Sequence, residues 1–509
     1  MHSPFTVSSS AAVVQAFGQR GRGPGIGTTI ALSIGVVLLA VLLGLVAVSA
    51  SPVLVGLAAA ALVGPMLLAR PSWIIWLIFL LGVLVAGLVP IWAEGLAGRA
   101  VWGVSALGFL LMLSAVFRIL TNPGASANTP AFVWLALAFM GYALVISLMR
   151  WHSVYEIAAG FKRYFQGFGL LFALAWLPIS SQDIQRWRRF FVIAALLQLP
   201  FAVYELLRLV PLREGFRHAY PGMVPIDVVA GTFGSYLYQG GANAEMATFL
   251  IIVLMFLLAR FHQKLLGARR LLVLVLLVLA PLFLGETKVV VLLLPLAFVV
   301  LYRRQLIANP IAAFTGLIGG TVLTVAALFT YVAVTKSNSL ETLVYETLRY
   351  NTGNKGHGAW LLNRTTVLKF WAERQSLADP VAAVAGNGIG SSHDNTGGHV
   401  SQRYPGFGIG LTAASTLLWD LGLLGVALFL SILVAAWHTA SQLRRQCKDP
   451  AVQADALAIQ AALALFAFYL VYRISLLEML SFQIIFAAVL GYLAWLKRSH
   501  MSGAPSVGR

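Results

Sequence analysis

Charged residues are scarce in this chain of 509 residues, where Asp, Glu, Lys and Arg together make up only 10%. Soluble domains carry about 25% charged residues. The sequence is instead 60% hydrophobic, and its mean hydropathy is +0.86. This composition excludes a soluble globular protein and predicts an all-α, polytopic membrane protein.

Cysteine and acidic residues are rare as well. The single Cys447 excludes a disulfide within the chain and a thiolate metal cluster. The 17 Asp and Glu face 35 Lys and Arg, which gives a formal net charge of +18. In a soluble protein this excess would indicate nucleic acid, whereas in a membrane protein part of it follows from the bias of Lys and Arg toward cytoplasmic loops. No nucleic-acid partner is therefore predicted.

Long apolar runs fill most of the chain. A membrane-spanning helix needs about 20 mostly apolar residues to cross the hydrocarbon core. By this measure the sequence predicts about 14 spans, at residues 30–50, 53–69, 73–90, 100–118, 131–149, 157–177, 190–210, 243–260, 271–286, 288–303, 310–334, 412–436, 456–474 and 478–496.

Basic residues in the short loops fall on alternate sides of successive spans. All of them lie on one face if both termini are cytoplasmic; these residues are Arg20, Arg22, Arg70, Arg118, Arg186, Arg188, Arg189, Arg260, Lys264, Arg269, Arg270, Arg303, Arg304, Arg444, Arg445, Lys448, Lys497 and Arg498. The polar, Gly-rich start of the sequence is predicted to be a cytoplasmic tail, because no apolar run with a cleavage site opens it.

The longest polar segment between two spans is 336–411, which is predicted to lie outside the cytoplasm and to contain short helices. The shorter loop 211–242 is predicted on the same side. The predicted organisation is a tail (1–28), spans 1–11 (29–335), the long outer loop (336–411), spans 12–14 (412–497) and a second tail (498–509).

The outer loops carry cations that the positive-inside bias would not place there. They are Arg213, Arg217, Lys288, Arg364, Lys369 and Arg403. Guanidinium forks match phosphate oxygens and Lys supplies a point charge, so this set suits an anionic, lipid-borne substrate. Four other charges in or near spans are equally explained by interfacial positions or structural ion pairs; these are Lys162, Arg163, Arg473 and Glu478. For Lys288, the alternative is an ion pair with Glu286.

The segment from Asn363 to Trp371 has helical spacing. Arg364, Leu368 and Trp371 lie at i, i+4 and i+7 and would share a helix face, with the two apolar side chains packed down. An amphipathic helix on the membrane surface is the alternative interpretation.

A glycine-rich run follows at Gly386–Gly390, where glycines permit positive φ and close backbone approach. His393 comes next and is a candidate general base near neutral pH. Taken alone, it is equally well explained as a solvated loop histidine.

Taken together, these segments resemble the O-antigen ligase / O-antigen polymerase superfamily of polytopic, inverting glycosyltransferases. The resemblance extends over residues 190–496. The family motifs are matched by Arg364 with Trp371, Asp379-Pro380, Gly386-Asn387-Gly388-Ile389-Gly390, His393 with Asn395, Trp419-Asp420-Leu421-Gly422 with Gly425, and, upstream, Gly231-Thr232-Phe233-Gly234 with Asn243 to Ala247.

The chain departs from the family pattern around the predicted base. Asp394 separates His393 from Asn395, and extra residues precede the helix of Asp420. His399 therefore competes with His393 for the role of base. Elsewhere, Thr287-Lys288 stands where the family has Ser-Arg.

The resemblance implies an enzyme of the bacterial inner membrane that uses an undecaprenyl-diphosphate-linked oligosaccharide on the periplasmic face, without a metal or another cofactor. Arg364, Lys288 and Arg217 would hold the diphosphate, with Arg364 and His393 as catalytic residues and His393 as the base. Residues in supporting roles would be Asp420, Asn243, His399 and Arg403.

The acceptor distinguishes the functions within this superfamily. A second lipid-linked repeat would make the protein a polysaccharide polymerase, which we favour because two cationic outer loops suit two lipid-diphosphate substrates. Lipid A–core as acceptor would make it an O-antigen ligase, and a third relative glycosylates proteins. The predicted partners also include membrane lipids and a chain-length regulator protein.

The alternative of another class is a transporter that flips the same lipid-linked glycan. No inverted repeat and no matched pair of broken helices is visible in the sequence, which argues against it. A purely structural membrane protein would leave the outer arginines unexplained.

Overall fold

The structure, a computed structural model, describes residues 41, 64, 67–216, 218–219, 223–238, 240–285, 287–311, 315, 356, 360–376 and 379–501. The predicted spans 30–50, 53–69 and 310–334 and the first part of the 336–411 loop lie almost entirely outside the described residues. Residues from Pro71 onward belong to one compact unit, to which the following description refers.

The described part of this unit is built from α-helices and contains no β-strand. The helices are α1 (Pro71–Phe79), α2 (Val89–Trp92), α3 (Glu94–Thr121), α4 (Ala131–Met149), α5 (Val154–Phe165), α6 (Phe168–Trp176), α7 (Ser181–Phe216), α8 (Asn243–His262), α9 (Ala268–Leu284), α10 (Val290–Ala308), α11 (Thr366–Trp371), α12 (Pro380–Ala385), α13 (Ala413–Gln446), α14 (Pro450–Tyr472), α15 (Ser475–Glu478) and α16 (Leu480–Met501). A π-helical stretch, Leu80–Val85, continues α1.

Within the described residues, 8 helices are long and apolar enough to cross a membrane, namely α3, α4, α7, α8, α10, α13, α14 and α16. A shorter apolar helix covers Pro71–Val85. The all-α, membrane-spanning class is therefore confirmed, whereas the number of 14 spans stays a prediction.

The predicted span 157–177 divides into α5 and α6. The side chain of Gln483 donates to the carbonyl of Arg163 over 2.6 Å, and an uninterrupted helix would use that carbonyl itself. A side chain at Gly167 would meet the carbonyl oxygen of Gln483 at 2.9 Å, so α16 passes too close for any larger residue. Neighbouring helices thus satisfy the backbone where the span is interrupted.

The centre of the bundle is formed by α8, α14 and α16, most of whose residues are buried. The long helix α13 packs along both α14 and α4, while α16 packs against α6. In contrast, only a minority of the residues of α3, α7 and α10 are buried, as expected for peripheral helices that face lipid.

Helix α13 is interrupted at Gly422, whose φ of 65° and ψ of −168° only glycine adopts readily. The interruption frees carbonyl groups that lipid could not hydrogen-bond. The amide of Asn387 donates to the carbonyl of Trp419 over 3.1 Å, and that of Gly388 donates to the carbonyl of Asp420 over 2.8 Å. The glycine-rich run predicted from the sequence therefore caps a broken helix inside the bundle.

Several loops meet at one end of the bundle. The backbone amide of Ala413, at the start of α13, donates to the carbonyl of Arg473 over 3.3 Å, and Arg364 reaches the carbonyl of Tyr472. We call this region the loop end and define it by the described residues of 150–156, 223–242, 285–289, 360–412 and 473–479. We call the opposite end of α13, where α10, α14 and α16 carry Arg, Lys and Asp side chains, the basic end.

Candidate functional site

Asp420 is a fully buried carboxylate on α13 that anchors the loop after the glycine-rich run. Its Oδ2 accepts hydrogen bonds from the amide of Gly390 and the hydroxyl of Tyr164, each at 3.0 Å. Its Oδ1 accepts from the Ser391 hydroxyl and the Ser392 amide, each at 2.8 Å. Because all four partners are donors, Asp420 has the geometry of a positioning residue for this loop.

The glycines of the run adopt backbone conformations that their residue type permits. Gly386, Gly388 and Gly390 all have positive φ. A side chain at Gly390 would meet the carbonyl oxygen of Glu156 at 2.6 Å, so the loop lies directly against α5. This close approach places the loop that contains His393 and His399 beside α5.

His393 is not solvated, because only 4% of its surface is exposed. Its Nδ1 lies 3.7 Å from Oδ2 of Asp420, which is beyond hydrogen-bonding distance. Neither ring nitrogen has a hydrogen-bond partner among the described residues. Burial, with a smaller contribution from the charge of Arg163, lowers the pKa of His393 to about 3. This imidazole is therefore neutral at pH 7 and a weak acceptor of protons.

His399 has a different environment. Its ring Nδ1 lies 2.9 Å from Oε1 of Glu156, and its backbone amide donates to Oε2 of the same carboxylate over 3.0 Å. The ring of His152 lies beside it, with a centroid distance of 4.8 Å and an angle of 31° between the ring planes. A hydrogen bond from Nδ1 to the carboxylate leaves Nε2 as the acceptor nitrogen. With 15% of its side chain exposed, His399 is oriented and accessible.

Arg364 lies in the turn before α11, not on the helix as the spacing predicts. The Asn363 side chain accepts hydrogen bonds from the amides of Thr365 and Thr366 and so orders this turn, and α11 begins only at Thr366. The Nε of Arg364 donates to the carbonyl of Tyr472 over 2.7 Å, and its guanidinium lies 4.5 Å from the centre of the Tyr472 ring.

The next residue in the chain after Tyr472, Arg473, contributes a second guanidinium at the loop end. Its Nη1 lies 3.0 Å from Oε2 of Glu245, a carboxylate of α8 that also accepts a hydrogen bond from Ser475. The side chain of Arg473 is 37% exposed although Glu245 is fully buried. The ion pair therefore fixes one side of this guanidinium while the other reaches the surface.

Lys288 joins this group through Asp227, which interacts electrostatically with Arg213, Arg473 and Lys288 and hydrogen-bonds to Asn243. Burial raises the pKa of Asp227, which the three cations partly oppose. Lys288 itself is exposed. The predicted residues Lys288, Arg364 and Asn243 are thus brought to the same end of the bundle.

The other predicted cations that the structure describes have different surroundings. Arg213 is buried and donates to the carbonyls of Tyr236 and Val224, so it holds the 223–238 loop. Lys369 is exposed, and its Nζ lies 3.7 Å from Oε1 of Glu373. Arg403 is exposed in a 3-10 turn. Arg217 lies outside the described residues, as does Glu286, the predicted ion-pair partner of Lys288.

Sequence reasoning missed Glu156, His152 and Glu245 as members of the site. Both carboxylates lie at the edge of an apolar run, where a charge must face protein or water, and that position is the signal that could have identified them. In the part of the chain that the structure describes, no three His, Cys, Asp or Glu side chains are arranged to hold a metal ion. Metal independence stays a prediction.

Comparison with known proteins leaves the superfamily resemblance as a prediction. No protein-family model matches the chain, and no curated protein sequence matches it. The functional conclusion therefore rests on the geometry and chemistry of the loop end.

Proposed function

We propose that this protein is a membrane glycosyltransferase that takes a glycan from a polyprenyl-diphosphate carrier at the loop end. The observation that supports this most is the grouping of Arg364, Arg473 and Lys288 around Tyr472 and Asp227. Such a group of cations, partly exposed beside apolar helices, suits a diphosphate whose lipid chain remains in the bilayer.

In the proposed reaction, an acceptor hydroxyl attacks the anomeric carbon of the lipid-linked glycan. The bond from that carbon to the diphosphate oxygen breaks, and its electron pair leaves with the lipid diphosphate. Arg364 and Lys288, now joined by Arg473, stabilise the negative charge that develops there. One displacement inverts the anomeric configuration, so the mechanism requires no carboxylate nucleophile.

The acceptor proton passes to a histidine. Between the two candidates, the Glu156 contact supports His399, because an imidazole oriented by a carboxylate keeps its other nitrogen available as a base. The buried His393 becomes a packing residue in this proposal. Asp420 holds the loop that carries both histidines.

For the acceptor we retain the polymerase, which adds repeats of an O-antigen or exopolysaccharide, with the ligase that uses lipid A–core as the second candidate. The reaction would take place on the periplasmic face of a bacterial inner membrane, with both termini in the cytoplasm. A chain-length regulator protein would be a partner of the polymerase.

The test is transfer by purified protein from an undecaprenyl-diphosphate-linked oligosaccharide, with products resolved by size. We expect Arg364→Ala to reduce turnover by about 100-fold or more, as for loss of an electrostatic stabiliser of a transition state. Lys369→Ala is the matched control, because it removes an exposed cation close to Arg364 in the chain. Full activity of Arg364→Ala would contradict the proposal.

Three further readouts separate the alternatives. A ladder of repeats identifies a polymerase, and a single block added to lipid A–core identifies a ligase. Movement of the intact lipid-linked glycan across the vesicle bilayer, without transfer of the glycan to an acceptor, would identify a transporter. Turnover should survive EDTA, and a strict requirement for an added divalent metal would contradict the metal-independent mechanism.

A further inference from the structure

Four arginines come together at the basic end, where α10 and α13 finish. Arg303 and Arg304 lie near the end of α10, and Arg444 and Arg445 near the end of α13. The electrostatic neighbours of Arg444 are Arg303, Arg304 and Arg445, which places the four charges within range of one another.

Arg303 is held in a fixed orientation within this group. Its Nη2 donates to Oε1 of the fully buried Gln460 over 2.6 Å, and its Nη1 donates to the carbonyl of Val300 over 3.1 Å. The guanidinium also lies 5.1 Å from the centre of the Trp437 ring. The Gln460 amide in turn donates to the hydroxyl of Ser441 over 2.5 Å. Side chains of three helices therefore preorganise one cation.

Arg444 supplies a second, incompletely satisfied group. Its Nε is buried, and within the described ranges it has no hydrogen-bond partner. A buried donor without a partner is energetically costly, and Arg444 also lies near three other positive charges. A bound anion would offset both costs.

Three other arginines on this side of the bundle have compensating partners. Arg260 binds both carboxylate oxygens of Asp455, at 2.8 and 2.7 Å, and Arg188 lies 3.7 Å from the same group. Arg498 donates to the carbonyls of Ala175 and Leu177. The four-arginine group differs from these, because no acidic side chain acts on Arg303 or Arg444 within the described residues.

The rest of the sequence offers few acids that could compensate this group. Acidic residues outside the described ranges are Glu286, Glu341 and Glu346. All three belong to segments predicted on the opposite side of the membrane. Asp449, the nearest acid in sequence after Arg445, caps α14 through the amide of Ala451.

We infer that Arg303, Arg304, Arg444 and Arg445 form a binding site for the phosphate of an anionic membrane phospholipid. Guanidinium groups match phosphate oxygens bidentately, and basic pockets between helices at the cytoplasmic surface suit such head groups. Trp437, which precedes the arginines on α13, is a residue type that favours the membrane interface. This inference is independent of the proposed transferase.

The test compares the protein in nanodiscs of phosphatidylcholine alone and of phosphatidylcholine with phosphatidylglycerol. We expect phosphatidylglycerol to raise the Tm of the wild type, because a ligand that binds only the folded state stabilises it. We also expect phosphatidylglycerol molecules to remain bound in native mass spectrometry. Both effects should be lost in the Arg303→Gln/Arg444→Gln double variant.

The matched control is Arg186→Gln/Arg189→Gln, which removes two charges from positions predicted on the same face. Equal losses in the control and the site variant would overturn the inference, as would a wild type that does not respond to phosphatidylglycerol. An equal rise in Tm from inorganic phosphate in phosphatidylcholine discs would overturn the lipid as the source. If the double variant does not fold, Arg303→Lys replaces it. This substitution keeps the positive charge but removes the guanidinium group that donates to Gln460. Undiminished retention of phosphatidylglycerol by Arg303→Lys would contradict the inference.

Discussion

Glu156 holds His399 by two hydrogen bonds across 243 residues of sequence, one to the backbone amide and one to ring Nδ1. The carboxylate therefore fixes both the position of the loop and the rotation of the imidazole. Glu156 is itself placed by the start of α5, where its amide donates to the Ser153 hydroxyl that caps the helix. An imidazole with a fixed orientation is thus held between a helix start and a loop.

The first prediction concerns this pair. His399→Ala should lower the turnover number for glycan transfer by about 100-fold or more, the usual contribution of a general base. Glu156→Gln should lower it by about 10- to 100-fold, because a hydrogen bond to a charged group contributes roughly 1.5–3 kcal/mol. Steady-state transfer assays on purified variants measure both effects.

His393→Ala is the comparison for these variants. It should retain far more activity than His399→Ala, provided that both elute as folded protein in size-exclusion chromatography. The reverse order of activities would restore His393 as the base, as the family resemblance implies.

The second prediction separates the two contacts of Arg364 with Tyr472. Tyr472→Leu removes the aromatic ring and should raise the apparent KM for the lipid-linked donor by about 3- to 30-fold, since cation–π contacts contribute about 0.5–2 kcal/mol. Tyr472→Phe keeps the ring as well as the backbone carbonyl that accepts from Nε, and should resemble the wild type. Equal KM values for the Leu and Phe variants would show that stacking does not position Arg364.

Much of the fold could be predicted from the sequence, because apolar runs and their lengths are local properties. The spans at 131–149 and 243–260 match α4 and α8 closely. Gly386 and Gly388 adopt the positive φ that their residue type permits. The predicted position of Arg364 on a helix was wrong, because α11 begins at Thr366, two residues later than the spacing indicated.

The pairings within the candidate site could not be predicted, because they join residues far apart in sequence. Arg473 and Glu245 are separated by 228 residues, and nothing near either one identifies its partner. The interruption of α13 at Gly422 could not be predicted from the local sequence for a related reason. It depends on amides of Asn387 and Gly388 that arrive from another segment.

The third prediction is a pH dependence of stability that arises at His393. Its pKa of about 3 in the folded protein lies below the unfolded value of about 6.5, so the unfolded chain binds more protons between these values. Stability from this residue is therefore complete above about pH 6.5 and falls as the pH decreases toward 3, with a loss of about 2 kcal/mol at pH 5.

His393→Leu tests this directly. Between pH 7.5 and pH 5, the Tm of the variant in scanning fluorimetry should decrease less than the Tm of the wild type, because leucine does not titrate. At pH 7.5 it should be at least as stable, since an apolar side chain replaces a buried imidazole with no hydrogen-bond partner among the described residues. Parallel losses in both proteins would show that His393 does not set this dependence.

The fourth prediction concerns the interruption of α13. A methyl group at Gly422 would lie 2.4 Å from the carbonyl oxygen of Val384 and 2.7 Å from the amide nitrogen of Gly386, in a backbone conformation that costs other residues about 1–3 kcal/mol. Gly422→Ala should therefore lower Tm, and it should reduce transfer further because it displaces the loop anchored on Asp420. Gly141→Ala on α4 is the control, since the described residues place no atom within 4 Å of the point that its added methyl group would occupy. A Gly422→Ala protein with the Tm and activity of this control would mean that the α13 interruption is not needed to hold the loop in place.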